Sequence, residues 1–158
     1  MKRRKPMKRT PLKKGSNNLK RSHLKKRSDK MSAQYVERRE IVGRLLKERP
    51  YCEACMVWGG YDAVNGLLES LVVHQQMSKD IHELVNRSQG GSILEEQNLL
   101  AVCRQCHSRI TREPTTAETI GLHLESWCNH PPYYVEAERL RRDWKNGITT
   151  EPYWRDNY

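Results

Sequence analysis

The chain has 158 residues, of which 36% are hydrophobic, and its 29 Lys/Arg against 19 Asp/Glu give a formal charge of +10. That length supports one core of ordinary size, and no run of about 18 apolar residues is present to cross a bilayer. The basic start is never followed by an apolar stretch of the kind an export leader needs, so a cytoplasmic protein is expected.

The charge is unevenly distributed. Residues 1–30, "MKRRKPMKRTPLKKGSNNLKRSHLKKRSDK", hold 14 Lys/Arg and a single acid, Asp29, for +13, and the remainder carries 15 Lys/Arg against 18 Asp/Glu, or −3. So much like charge with so few apolar residues predicts a disordered tail. Such a tail seeks polyanions, and each phosphate it neutralises releases counterions and steepens the salt dependence of binding. The alternative is a solvated tail that only keeps the protein soluble.

Over residues 32–49, Val42, Leu45 and Leu46 recur at helical spacing, with Ser32 as the expected cap and Pro50 as the stop. The first cysteine pair, "CEAC" (Cys52, Cys55), follows, and Gly59–Gly60 is expected to break the chain after it. Residues 67–77 read equally as helix or strand. "DIHELV" alternates Ile81, Glu83 and Val85 against Asp80, His82 and Leu84, a strand pattern that "NRSQGG" turns and "NLLAV" answers as the returning strand. A short helix is expected from Arg104, carrying Cys106 and Ile110 and ending before Pro114. Beyond it, Thr115-x-x-Glu118 reads as a capping box for a helix with Ala117, Ile120, Leu124 and Trp127 on one face. Residues 134–145 read as a last helix with Val135, Leu140 and Trp144 inward and Gly147 past its end. The class is α+β, organised as a tail (1–30), a cysteine-containing domain with a lead-in helix (31–113) and C-terminal packing helices (114–158).

Four of the five cysteines form two Cys-x-x-Cys pairs, Cys52/Cys55 and Cys103/Cys106, separated by 47 residues. In a chain without an export signal this favours thiolate ligands over disulfides, and four thiolates close a tetrahedral zinc site that would supply much of the folding energy. Replacement of one ligand by Cys128 or His130 stays open; otherwise Cys128 is expected to be a partly buried free thiol near Trp127. His107 directly follows Cys106. Neighbours on a helix point about 100° apart, so the cysteine faces zinc while the histidine faces a separate cleft. If the two strands pair beside this helix, His82 meets His107 there, and two imidazoles hold a divalent ion with positions left open.

Taken in order, the acid and histidine of "DIHE", Gly90–Gly91, Asn98 and Cys103-x-x-Cys106-His107 resemble the HNH endonuclease motif, the ββα-metal fold. The resemblance covers residues 52–112, about two-fifths of the chain. The segments "MKRTPLKK" and "EPTTAETIGL" are also similar to those of small phage-encoded members, more weakly. The resemblance implies a zinc-stabilised ββα-metal core and hydrolysis of DNA phosphodiester bonds with Mg²⁺ or another divalent ion, leaving 5′-phosphate and 3′-hydroxyl ends. It places His107 at the second metal ligand, Asn98 at the residue that braces the loop, and Gly90 and Gly91 at the loop glycines. Arg87, Arg104 and Arg109 become candidates for phosphate contact, or solvated surface charges.

Counting back from the glycines puts the first metal ligand on His82 and the general base on Glu83, "HE" where "DH" or "HH" is usual. With a loop one residue longer, His82 becomes the base and Asp80 supplies the ligand. Two other readings stand beside the nuclease. One is a non-catalytic zinc module that binds nucleic acid. The other is an accessory subunit of a phage DNA packaging or recombination complex.

Overall fold

The protein was analysed as a computed structural model that describes residues 28–67 and 75–154; the tail expected for 1–30 lies outside these residues up to position 27, and so does 68–74 of the undecided segment. Helix α1 (Asp29–Glu48) begins a turn earlier than expected. Ser28 caps it by accepting a hydrogen bond from the Met31 N–H, and Asp29 places a negative charge in the first turn, where the exposed N–H groups favour it. Ser32, the expected cap, is inside the helix and donates to the Ser28 carbonyl. Arg49 and Pro50 end the helix, and Leu45 is its one fully buried residue.

Gly59 and Gly60 do not break the chain. Both lie within α2 (Cys55–Val64), and a Cβ on Gly60 would stand 1.8 Å from the Trp144 carbonyl oxygen of α5 (Pro131–Lys145). The missing side chain lets the two helices come together.

Strands β1 (Asp80–Glu83) and β2 (Leu99–Val102) pair antiparallel, with Asp80 opposite Val102 and His82 opposite Leu100. The intervening loop turns at the glycine pair for two separate reasons. Gly90 takes φ +93°, and a Cβ on Gly91 would lie 1.9 Å from the Val85 carbonyl oxygen. Val102 leads through Cys103 into α3 (Arg104–Arg112), completing a strand, strand, helix unit.

The expected capping box at Thr115 is not used. Proline is well suited to the first helical position, so α4 (Pro114–Thr119) starts at Pro114 with Glu113 as its cap residue, and Thr115 falls inside. The helix also stops before Leu124 and Trp127: Gly121 at φ +74° turns the chain, and the Leu122 and His123 N–H groups both bond the Ala117 carbonyl. Leu124 is buried in the extended stretch that follows, with its N–H on the Leu84 carbonyl, whereas Trp127 sits half exposed in a 3₁₀ turn. In α5 the inward stripe is Tyr134, Ala137, Leu140 and Trp144. Val135, expected inward, is 64% exposed because it follows Tyr134 by one position and leaves that stripe.

Val57, Trp58, Leu84, Leu100, Ile110, Ala137, Leu140 and Trp144 belong to one buried cluster, so the C-terminal helices complete the core on which the strand pair rests. No helix among the described residues is long and apolar enough to cross a membrane.

Candidate functional site

The two cysteine pairs are brought together by β2. An isolated bridge joins Tyr51 to Met77, the Cys52 N–H bonds the Gln76 carbonyl at 2.7 Å, and the Glu53 N–H bonds the Ala101 carbonyl at 2.9 Å. The Glu53 carboxylate in turn accepts the Ala101 N–H at 2.7 Å. This pins the first pair beside the end of β2, from which the second pair emerges. Cys52, Cys55, Cys103 and Cys106 are all buried and unoxidised, with their ligand atoms within 4.8 Å of one another.

Cys55 Sγ lies 3.9 Å from Cys103 Sγ and 3.7 Å from Cys106 Sγ. A tetrahedron of sulfurs around an ion at about 2.3 Å has edges of about 3.8 Å, so the spacing fits a metal and is far too long for a disulfide. The electrostatics agree. Thiol donors, Cys106 first and then Cys55, stabilise a thiolate on Cys52, and the hydrogen bond to Cys52 pushes Cys106 upward. A central cation relieves that conflict by letting every sulfur ionise. Cys128 is not in the cluster. It is fully buried, not partly as expected, and burial pushes its thiol up to about 12.

One residue along α3 from Cys106, His107 faces the other way. Its ring centroid is 5.4 Å from that of His82, and its Nδ1 is 4.0 Å from Asp80 Oδ2. Asp80 and His82 share a strand face, as alternation requires. Burial, then the neighbouring imidazoles of His107 and His123, hold the His82 ring neutral, down to about 3. Its Nε2 is buried with no hydrogen-bond partner. Asp80 Oδ2 is buried and likewise makes no hydrogen bond, although Arg104 Nε stands 3.1 Å away. One buried imidazole nitrogen without a partner thus lies beside a second imidazole and an ion-paired carboxylate; among the described residues only the four cysteines stand close enough together, as three or more ligand atoms, to hold an ion as they are. Next to the imidazole pair, Arg104, His107, Ser108, Thr111 and Arg112 line a recess of about 340 Å³. A second recess of about 500 Å³, lined in part by Arg49, Glu53, Leu99 and Arg141, contains none of the histidines, so the chemistry of the lining favours the smaller one.

No family model, curated protein or solved structure matched the chain.

The remaining expected site residues fall in different places. Glu83 projects from the opposite strand face to His82: its Oε1 is 2.8 Å from Arg38 and its Oε2 accepts the Arg87 N–H at 3.1 Å. Asn98 is wholly buried and saturated. Its Oδ1 accepts the Val85 N–H at 2.7 Å, and its Nδ2 donates to the Val85 and Ser92 carbonyls at 3.0 and 2.9 Å. It therefore braces the glycine loop onto the base of β1. Arg109 is committed elsewhere: it makes a two-pronged ion pair with Asp62 at 2.6 and 2.7 Å, reaches Glu113 at 3.2 Å, and stacks over Trp58 at 3.9 Å. Of the three arginines offered for phosphate contact, it has no free donor face. Arg87 packs on Tyr35, and Arg104 is 74% exposed beside Asp80.

Sequence reasoning missed His123, whose ring centroid lies 6.5 Å from that of His82. No spacing rule could have found it, because a separate helix intervenes and the segment around it reads as a continuing helical face.

Asn98→Ala tests the brace. It strands two carbonyls and one N–H in the interior, at a cost of about 2–3 kcal/mol, and urea unfolding should show that loss with the metal content of the cysteine cluster unchanged.

Proposed function

We propose that the chain is a metal-dependent endonuclease of the HNH type, with zinc in the four-cysteine cluster and a second divalent ion, Mg²⁺ or another, at the histidine face. The observation that carries this reading is the pairing of His82 with His107 across the strand pair and helix, on the far side of α3 from the cysteines. A solely structural zinc module has no need of two imidazoles facing each other, one of them with a buried nitrogen that has no hydrogen-bond partner.

His82 and His107 would hold the ion, with Asp80 beside them. When bound, the ion supplies Lewis acidity toward a phosphate oxygen and stabilises charge on the leaving 3′ oxygen. Arg104 and Arg112 border the recess and attract the phosphodiester, and the start of α3 adds the favourable end of its backbone dipoles. Glu83 is the base in the register that makes His82 a ligand, but its carboxylate lies on the opposite strand face, held by Arg38 and the Arg87 N–H. In the register with a longer loop His82 takes the proton from the attacking water and Asp80 is the ligand, and variants at these positions decide between the two. Asn98 keeps the strand end and loop in register.

Nicking of supercoiled plasmid with and without Mg²⁺ or Mn²⁺, beside His107→Ala, tests the reading. Metal-dependent cutting lost in the variant supports it. DNA binding with no cutting under any metal overturns it in favour of a non-catalytic nucleic-acid module or an accessory subunit.

Deleting residues 1–27 should weaken DNA affinity and flatten the plot of log affinity against log salt by about 0.9 for each phosphate the tail had neutralised. Cutting at low salt should persist. An unchanged slope would reduce the tail to a solubility device.

A further inference from the structure

Five arginines among the described residues are half-buried, and four of them hold a carboxylate: Arg38 with Glu83, Arg49 with Glu53, Arg109 with Asp62 and Arg139 with Glu136. Arg141 is the exception. Its hydrogen bond, at 2.7 Å, goes to the Gly121 carbonyl, which leaves the rest of its N–H donors for another partner. Proton affinities register the difference. Arg109 and Arg139 are pushed upward, first by their hydrogen bonds to Asp62 and Glu136, whereas burial pushes Arg141 down to about 10 against the pull of Glu53 and Glu138. A cation withdrawn from water without a counterion is costly, and an anion from outside the chain offsets that cost.

Arg141 lines the recess of about 500 Å³ where the start of β2 meets the last turns of α5. Arg142 and Lys145 line it as well, one and four positions along the same helix, so one side of α5 brings three cations to a single concavity. The acids of the lining are engaged or solvated. Glu53 accepts the Ala101 N–H at 2.7 Å and pairs with Arg49 at 3.4 Å, Glu96 pairs with Arg44, and Glu138 is exposed. Arg142 reaches Asp143 at 3.9 Å, a carboxylate that Arg139 already holds at 2.6 Å. We infer that this recess binds a phosphate group, with Arg141 as its inner contact and Arg142 and Lys145 as its outer charges. A guanidinium fork matches two phosphate oxygens at once, and the remaining oxygens stay open to the flanking cations, whereas a carboxylate is used up by the fork alone. The phosphate belongs to a free nucleotide or to a nucleic-acid strand, since the recognising chemistry is the same. The lining contains no histidine or cysteine, so the inference rests on neither the histidine face nor the cysteine cluster.

The test is NMR titration of full-length protein, its cysteine cluster filled with zinc, at constant ionic strength and without added divalent ion. Arginine Nε–H signals and the backbone amides of α5 are read, which separates the recess from the basic tail and from Arg104 and Arg112. The probes are inorganic phosphate, thymidine 5′-monophosphate and a short oligothymidylate without end phosphates. Phosphate should shift the Arg141 side-chain signal saturably. Arg141→Lys, which keeps the charge and loses the fork, should weaken binding at least about tenfold. Arg142→Ala combined with Lys145→Ala should weaken it about two- to fivefold, because exposed charges are screened. Lys79→Ala, which removes an exposed charge outside the recess, should bind as wild type. Tighter binding of the monophosphate assigns the site to a free nucleotide, and equal or tighter binding of the oligothymidylate assigns it to a strand. Wild-type affinity in Arg141→Lys overturns the inference, as does an Arg141 signal that no probe moves or that chloride moves equally. If Arg141→Lys unfolds because the Gly121 carbonyl loses its donor, the wild-type Arg141 signal and the double variant decide, and wild-type affinity in the double variant overturns the inference.

Discussion

Cys103→Ser is expected to abolish cooperative folding before it alters any chemistry. Cys103 contributes a thiolate to the four-sulfur cluster, caps α3 through its sulfur by accepting the Cys106 N–H at 3.4 Å, and joins that helix to β2. Metal held by such a cluster contributes about 10–16 kcal/mol to the folded state, whereas the whole net stability of a domain is about 5–15 kcal/mol. Losing a ligand therefore removes a share comparable to everything that keeps the chain folded. The two strands are four residues each and cannot persist alone. Wild-type protein should retain one zinc per chain after exhaustive dialysis, and a strong chelator should give the same far-UV circular dichroism change as the substitution. A freshly purified, reduced wild type with about zero zinc, or a variant that melts at the wild-type temperature, would sink the structural-zinc assignment.

The second large effect is expected at β1, as a contrast between adjacent residues. With Glu83 as the base, Glu83→Gln should lower the cutting rate at least about 100-fold at every metal concentration, because the proton acceptor is gone. His82→Ala should lose comparable activity at low metal and regain part of it as metal is raised, because what is missing is a ligand. Geometry gives the competing register its own force: Asp80 and His82 share the face that meets His107, while Glu83 lies across the strand in contact with Arg38. If Glu83→Gln cuts at near-wild-type rate and His82→Ala is dead at all metal concentrations, His82 is the base. Asp80 is then the ligand, and Asp80→Asn should be the variant that metal rescues.

The cysteine cluster was legible in the sequence because Cys-x-x-Cys is a local constraint: a turn of that length presents both sulfurs to one point wherever it occurs, and two such turns close one tetrahedron. The strand pair and α3 were legible for a similar reason, since alternation over residues 80–85 and the cysteine, isoleucine spacing after Arg104 are set by backbone periodicity alone. The separation of Cys106 from His107 follows from the 100° step of a helix and needed no tertiary information.

Tertiary packing decided the rest. Gly59 and Gly60 carry a turn signal, yet they sit in α2 because a helix must approach Trp144 there without a side chain in the way. Arg109 and Arg104 look alike as cations on one short helix. Only the placement of Asp62 and Trp58, about 50 residues upstream, occupies the first and leaves the second exposed. His123 shows the limit most clearly. Its place beside His82 depends on where α4 stops, and that is fixed by Gly121 packing on α5, an approach with no counterpart in any local pattern. Periodicity and ligand spacing determine what a segment presents; which side chains then converge is settled by long-range packing between partners far apart in sequence.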